Sequence, residues 1–321
     1  MTDWTVPTLA DVWAARHRIA PYLRPTPLYT YPALDDLVGT AVHVKHENHQ
    51  PVGAFKVRGG LNLVAQLGEE DRRRGLIAAS TGNHGQSVAF AARRFGVAAR
   101  ICVPERSNPV KLAAMRGLGA DVVVAGADFD EAREHAEQLA AEHGFRYVHS
   151  GNEPDLIAGV ATEMLEILEA EPRIEVVIVP VGGGSGAAGA CIVAKAIDPS
   201  IRVVAVQSGA APSAYRSWRE GRPVLGESRT YAEGLATRVP FELPQRILRE
   251  HLDDFVLVSE DELRAATLAM LERTRNLIEP AGAAPLAAAL KLDLAGKKVG
   301  LIASGGNMTL AQLRDLLAAP A

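Results

Sequence analysis

One lysine stands in chemically suggestive company, in Gly53-Ala54-Phe55-Lys56-Val57-Arg58-Gly59-Gly60. A glycine and a bulky aromatic precede it, and two glycines follow within four residues. Beyond them Leu61, Leu63, Val64 and Leu67 recur at helical spacing, which places Lys56 near the start of a helix. An amine beside the positive end of a helix, against Phe55, is disfavoured as an ammonium. A lysine with a lowered pKa serves as nucleophile or base and forms a Schiff base with a carbonyl. By itself the pattern also fits a surface lysine on an amphipathic helix.

Further stretches change the balance. Gly182-Gly183-Gly184-Ser185-Gly186 follows an apolar strand and precedes a helix, so backbone N–H groups and a helix N-terminus there can cradle a phosphate. The same residues match a dinucleotide fingerprint, Gly184-x-Gly186-x-x-Gly189. That fingerprint wants an acidic residue at the end of the next strand to hold a ribose hydroxyl. Here that strand ends in Gln207-Ser208, which weakens a nicotinamide-binding oxidoreductase without removing it, and a structural glycine turn also remains open. Ser80-Thr81-Gly82-Asn83-His84-Gly85 sits between another strand and helix, where exposed amides can bind a carboxylate. A capped turn would use the same residue types. Ser304-Gly305-Gly306-Asn307 closes a late strand, and Glu279-Pro280-Ala281-Gly282-Ala283 forms an acidic turn.

The lysine segment, led in by Lys45 to Val52, and the loops at 80–85, 182–186 and 304–307 occur in the order and at the separations found in the fold-type II enzymes that depend on pyridoxal phosphate (PLP). Within that family the chain most resembles the threonine/serine dehydratase and serine racemase group, from about Arg24 to Asn307. The resemblance implies that Lys56 carries the cofactor, with Phe55 beside it. Gly182, Gly183, Gly184, Ser185 and Gly186 would hold its phosphate, Asn83 its ring hydroxyl, and Ser304 its pyridine nitrogen, with Glu279 close by. Ser80, Thr81, Gly82, Asn83 and His84 would hold the substrate carboxylate. A hydroxyl rather than a carboxylate at the ring nitrogen leaves a weaker electron sink, which suits β-elimination better than transamination.

The resemblance further implies a two-lobed α/β fold, tryptophan synthase β-like, with a discontinuous large lobe (1–69 and 151–321) and a small lobe (70–150) over the cleft. The expected activity is an ammonia-lyase for a β-hydroxy amino acid, L-threonine or L-serine first. Alternatives are an amino-acid racemase or a dehydratase for hydroxyaspartate- or phenylserine-type substrates. Thr81 falls where racemases place a catalytic serine, and Ala54 replaces the usual serine before the aromatic. The two acidic positions of the group's divalent-metal site align with Gln207 and Ser213, so no metal site is expected, although Glu233 could supply another oxygen.

Composition sets the wider bounds. At 321 residues the chain suits two lobes or one large α/β unit. Its net charge of −4, with acids and bases interleaved and no basic stripe, argues against a nucleic-acid partner. Cys102 and Cys191 stand apart without metal-type spacing, and Met1-Thr2-Asp3 begins no signal sequence, which suggests the cytoplasm. A small amino-acid substrate and a homodimer are expected. Val176 to Ala194 lacks charge but is broken by Pro180 and its glycines, so it reads as strand, loop and helix rather than a membrane span.

These motifs need elements to hold them. From Leu76 the texture alternates: strands at 76–79, 100–103, 121–124 and 147–149, with helices at 86–95, 109–116 and from Asp128 to Gly144. A second series follows, with helices at 156–168 and 187–196 and strands at 176–179 and 202–207, which predicts right-handed crossovers and a parallel sheet. Ser208 to Pro240 shows little periodicity and reads as a long functional loop. Helices at 260–275, 284–291 and 309–317 and a strand at 299–304 complete the chain.

Overall fold

The computed structural model describes residues 4–318; Met1 to Asp3, on which the N-terminal expectation rests in part, lie outside them. The chain opens with α1 (Leu9–Ile19), β1 (Leu28–Thr30), α2 (Pro32–Val38), β2 (Ala41–His46), α3 (Lys56–Ala65) and α4 (Glu69–Arg74). A βα series follows: β3 (Leu76–Ala79), α5 (Asn83–Phe95), β4 (Ala99–Val103), α6 (Pro109–Gly117), β5 (Asp121–Val124), α7 (Phe129–His143) and β6 (Arg146–Tyr147). Next come α8 (Pro154–Ala170), β7 (Val176–Pro180), α9 (Ser185–Ile197), β8 (Arg202–Ser208), α10 (Ser213–Glu220), α11 (Glu242–His251) and β9 (Asp254–Val258). The chain ends with α12 (Glu260–Thr274), α13 (Pro280–Ala289), β10 (Lys298–Ala303) and α14 (Leu310–Ala318).

The strands form two sheets. A six-stranded sheet runs β1-β2-β10-β7-β8-β9, and a four-stranded sheet runs β5-β4-β3-β6. All neighbours are parallel except β1, which pairs antiparallel with β2. Side chains alternate across the large sheet. Val177, Val179, Val203 and Ala205 pack into a core with α8, α9 and α11, while Val176, Ile178, Val204 and Val206 pack with α12 and α13. Both faces are covered, so β7 and the middle of β8 (203–206) are apolar at every position, as buried parallel strands are. A third core joins α3, α5 and α8 to β3 and β4. There α3 and α8 cross at backbone contact: a Cβ on Gly59 would lie 2.7 Å from the Leu156 carbonyl oxygen, and one on Gly159 would lie 2.6 Å from that of Arg58.

Several elements were not legible in the sequence. The stretch read as an unstructured loop from Ser208 to Pro240 holds α10, and α2, α4, α11 and β9 also went unrecognised. In α4 no residue is buried, so hydrophobic periodicity is absent; three acids in the first turn and three arginines in the last suit its dipole instead. In α2 only Leu34 is buried, between Pro32 at the first turn and Gly39 in the left-handed region at its end. The strand expected through His149 is shorter, because β6 ends at Tyr147. Among the described residues no helix is long and apolar enough to cross a membrane.

Candidate active site

Three adjacent parallel strands of the large sheet, β2, β10 and β7, deliver their carboxyl ends to one place, where open α/β sheets bind ligands. From β2 the chain turns through Glu47–His49 and reaches Lys56, the first residue of α3. From β7 it enters the glycine loop and α9, and from β10 it runs into Ser304 to Asn307. The ends are laced together. The Phe55 N–H donates to the Ser304 carbonyl (3.0 Å), and the Gly306 N–H donates to that of Gly53 (2.9 Å).

Lys56 reaches directly into the loop. Its Nζ donates to Ser185 Oγ at 2.7 Å and to the Ser150 carbonyl at 2.8 Å, while its own carbonyl accepts from Ser87 Oγ at 2.6 Å. Burial lowers the amine to about 8, against an upward pull from Glu163. The expected lowering is present, but its cause differs. Nζ lies 5.3 Å from the centroid of the Phe55 ring, a cation–π contact that favours the ammonium, so desolvation rather than the aromatic lowers the pKa.

The glycine loop is shaped to admit an anion. Gly184 has φ of +89°, which turns the chain into α9, and the first turn of that helix carries no acid. A Cβ on Gly182 would lie 2.2 Å from the Gly234 carbonyl oxygen, and one on Gly183 would lie 2.2 Å from the Phe241 ring. Neither position tolerates a side chain, and both glycines are half-buried in the turn. Phe241 in turn meets His149 edge-to-face at 4.6 Å. Burial holds His149 down to about 4, so it remains neutral and its Nδ1 accepts from the N–H groups of Gly151 and Asn152. An amine of lowered pKa bonded to the first residue of an acid-free helix N-terminus fits an aldehyde-bearing phosphate ester such as PLP.

The remaining expected residues fall into two groups. Asn83 Nδ2 donates to Glu279 Oε1 and Asn83 Oδ1 accepts from Asn307, both at 2.8 Å, tying the start of α5 to the acidic turn and to the segment after Ser304. Burial raises the Glu279 carboxyl, and the Asn83 hydrogen bond partly offsets that. Ser304 is buried at the end of β10. Ser80 and His84, by contrast, serve the framework. Ser80 Oγ accepts from the N–H groups of Gly82 (3.2 Å) and Gly85 (2.9 Å). His84 Nε2 lies 3.1 Å from the Val148 carbonyl, and burial pushes its pKa down to about 3. Thr81 and Gly82 are half-buried in the turn between β3 and α5.

Sequence reasoning missed a buried ionic network directly behind Lys56. Arg58, fully buried, donates from Nε and one terminal nitrogen to both oxygens of Glu47, each at 2.7 Å, and from both terminal nitrogens to Glu166, each at 2.7 Å. Lys45 and Arg16 also reach Glu166, each at 2.6 Å. Burial alone would raise the Glu47 carboxyl, but the Arg58 guanidinium holds it well below the usual range. The available signal was charge inside otherwise apolar segments: Arg58 in α3, and Glu163 and Glu166 in α8.

At the aligned metal positions, Gln207 Oε1 accepts from the Tyr215 N–H (3.1 Å) and Ser213 Oγ donates to the Thr237 carbonyl (2.6 Å). Glu233 pairs with Lys111 and accepts from Gln312 Nε2 at 2.9 Å. No group of three or more His, Cys, Asp or Glu able to hold a metal occurs among the described residues.

Comparison with known proteins agrees with this geometry. Residues 19–305 match the family model described as pyridoxal-phosphate dependent enzyme. An L-threonine ammonia-lyase of Thermotoga maritima is 41% identical over 94% of this chain and 76% of that protein. An L-threo-3-hydroxyaspartate ammonia-lyase of Saccharomyces cerevisiae is 37% identical over 97% of each. Among solved structures, maize serine racemase superposes with a TM-score of 0.92 at 31% identity, covering 98% of this chain and 97% of that one. The family removes the nicotinamide alternative that the glycine fingerprint had left open. An amine delivered into an anion cradle, and a family match across nearly the whole chain, make this protein a pyridoxal-phosphate dependent enzyme of the threonine/serine dehydratase and serine racemase group.

Proposed function

We propose that the enzyme is an ammonia-lyase that converts a β-hydroxy amino acid, L-threonine or L-serine first, to a 2-oxo acid and ammonia. The observation that carries this reading is Lys56, held by Ser185 at the mouth of the glycine loop with its amine lowered to about 8. When bound, PLP supplies the electron sink that stabilises negative charge at the substrate α-carbon. Gly182 to Gly186 would hold its phosphate, Asn83 its ring hydroxyl and Ser304 its ring nitrogen, with Phe55 and Glu279 close by. The turn from Ser80 to His84 would receive the substrate carboxylate at the N-terminus of α5, through Thr81, Gly82 and Asn83, with Ser80 and His84 holding its shape.

In this scheme neutral Lys56 takes the α-proton and becomes an ammonium, the β-hydroxyl gains one proton and departs as water so that the elimination is proton-neutral, and the released enamine hydrolyses to the oxo acid and ammonia. Ser185 and the Ser150 carbonyl accept hydrogen bonds from the amine and hold it in place before it reacts. Phe241, packed over Gly183, shields the cradle from water. The two-lobed division at 70 and 150 is part of the proposal, supported by the separate four-stranded sheet between Leu76 and Tyr147. So are a homodimer, which light scattering would test, and a cytoplasmic location, for which the free, buried Cys102 and Cys191 speak.

Borohydride treatment of the yellow holoenzyme should fix the cofactor to Lys56, and a panel of hydroxy amino acids should release ammonia fastest from L-threonine or L-serine. Label on another lysine would overturn the site. Faster release from hydroxyaspartate or phenylserine would overturn the substrate.

A further inference from the structure

Unlike Glu47 and Glu166, which pair with Arg58, Glu163 is an acid near the site that neither the mechanism nor the ionic network employs. It lies on α8 with 1% of its surface exposed, and neither carboxylate oxygen has a hydrogen-bond partner among the described residues. Its neighbours place it at the back of the phosphate cradle. A Cβ built on Gly186, the second residue of α9, would lie 3.6 Å from Glu163 Oε1 and 3.2 Å from the Phe55 ring. The carboxyl thus lies within van der Waals reach of position 186, directly behind backbone at the start of α9 that the loop offers to an anion.

The charged groups around it divide by side. Glu166, on its own helix, Glu47, after β2, and Lys45, on β2, belong to the ionic network with Arg58 of α3; Lys56 of α3 faces it from the cleft. Lys45 and Arg58 give their hydrogen bonds to Glu47, Glu166 and neutral oxygens, so no cation donates a hydrogen bond to Glu163. A buried carboxylate without such a partner is expelled as a charge, and it takes up a proton instead. Burial, reinforced by the negative charge of Glu47, raises its pKa well above the usual carboxylate range. With the carboxyl neutral, the upward pull on Lys56 also disappears.

We propose that Glu163 is a positioning residue for the cofactor phosphate: it carries a proton in the holoenzyme, and its ionisation weakens the hold of the cradle on PLP. The proposal rests on the cofactor assignment above. A neutral carboxyl leaves the positive end of α9 to the phosphate, whereas a carboxylate a few ångström behind Gly186 competes with it and repels it. PLP binding is thereby linked to the proton on Glu163. The carboxyl binds that proton more tightly in the holoenzyme than in the free protein.

The test compares the wild type with Glu163→Gln, an uncharged isostere, by titrating the resolved proteins with PLP and following cofactor absorbance and protein fluorescence. Dissociation constants should agree within about twofold near pH 6.5, and the wild type should become weaker by about tenfold relative to the variant as pH rises to about 9.5. A ratio that stays constant with pH overturns the linkage. Infrared difference spectra of the wild-type holoenzyme should show a carboxylic-acid C=O stretch at neutral pH that is lost in Glu163→Gln, which separates it from the buried Glu279. A carboxylate band in its place overturns the protonation. Failure of both proteins to bind PLP at any pH overturns the cofactor assignment and this proposal together, whereas parallel pH profiles overturn the role of Glu163 alone.

Discussion

Replacing Arg58 with methionine should destabilise the holoenzyme severely, and the contacts show how much. The guanidinium is fully buried and serves both oxygens of Glu47 and both of Glu166. After its removal Glu166 keeps Arg16 and Lys45 at 2.6 Å and the Thr26 N–H at 3.1 Å. Glu47 keeps only the neutral donors Thr26 Oγ1 at 2.6 Å and Gln50 Nε2 at 3.2 Å. One carboxylate is thus left buried without a directly bonded cation, a change of about 3–5 kcal/mol. For a chain of this size that lowers the thermal midpoint by roughly 4–7 °C at fixed PLP concentration. Adding Glu47→Gln should recover about 1–2 kcal/mol, since it removes the stranded charge while keeping a polar group for Thr26 and Gln50. The pH dependence has a definite sign. Arg58 depresses the Glu47 pKa, so the stability it contributes is present above the unfolded value of 4.5 and is lost as pH falls toward about 2. The gap between wild type and Arg58→Met should narrow on acidification. Differential scanning calorimetry decides the matter: a midpoint shift under about 2 °C, or no recovery in the double variant, refutes the account of the network.

Three further outcomes are expected. Gly182→Ala drives a methyl to 2.2 Å from the Gly234 carbonyl oxygen, a backbone atom that cannot swing away. Overpacking of about 1–3 kcal/mol there should weaken PLP affinity by about tenfold or more, and an unchanged dissociation constant would show that the loop does not form the cradle. Activity should survive exhaustive treatment with EDTA, because Gln207 and Ser213 are neutral and Glu233 is paired with Lys111; inactivation reversed by magnesium would contradict this. Elimination should far outpace racemisation, because the methyl of Thr81 restricts its rotamer on the face where a second base must act. Chiral chromatography of unreacted L-serine checks it, and D-serine accumulating as fast as pyruvate would count against it.

The sequence by itself determined the parts of this protein whose physics is local. Strand, glycine turn and helix follow one another at 176–197, and that order makes an anion cradle legible beside a structural turn, because the turn and the helix N-terminus that form it are neighbours in the chain. Lys56 near the start of α3 and the turn from Ser80 into a helix were likewise legible, although α5 begins at Asn83, earlier than the helix expected from 86. Elements with little buried surface, such as α4, were not, since they carry no hydrophobic period. Only the tertiary structure decided which distant residues meet. Ser150 and Ser185 hold the amine from 94 and 129 positions away, and Asn83 meets Glu279 across 196. Desolvation is decided there too. A glutamate in an apolar helix reads the same whether it is paired, as Glu166 is, or stranded, as Glu163 is, because its charge state depends on which donors the packing brings within reach.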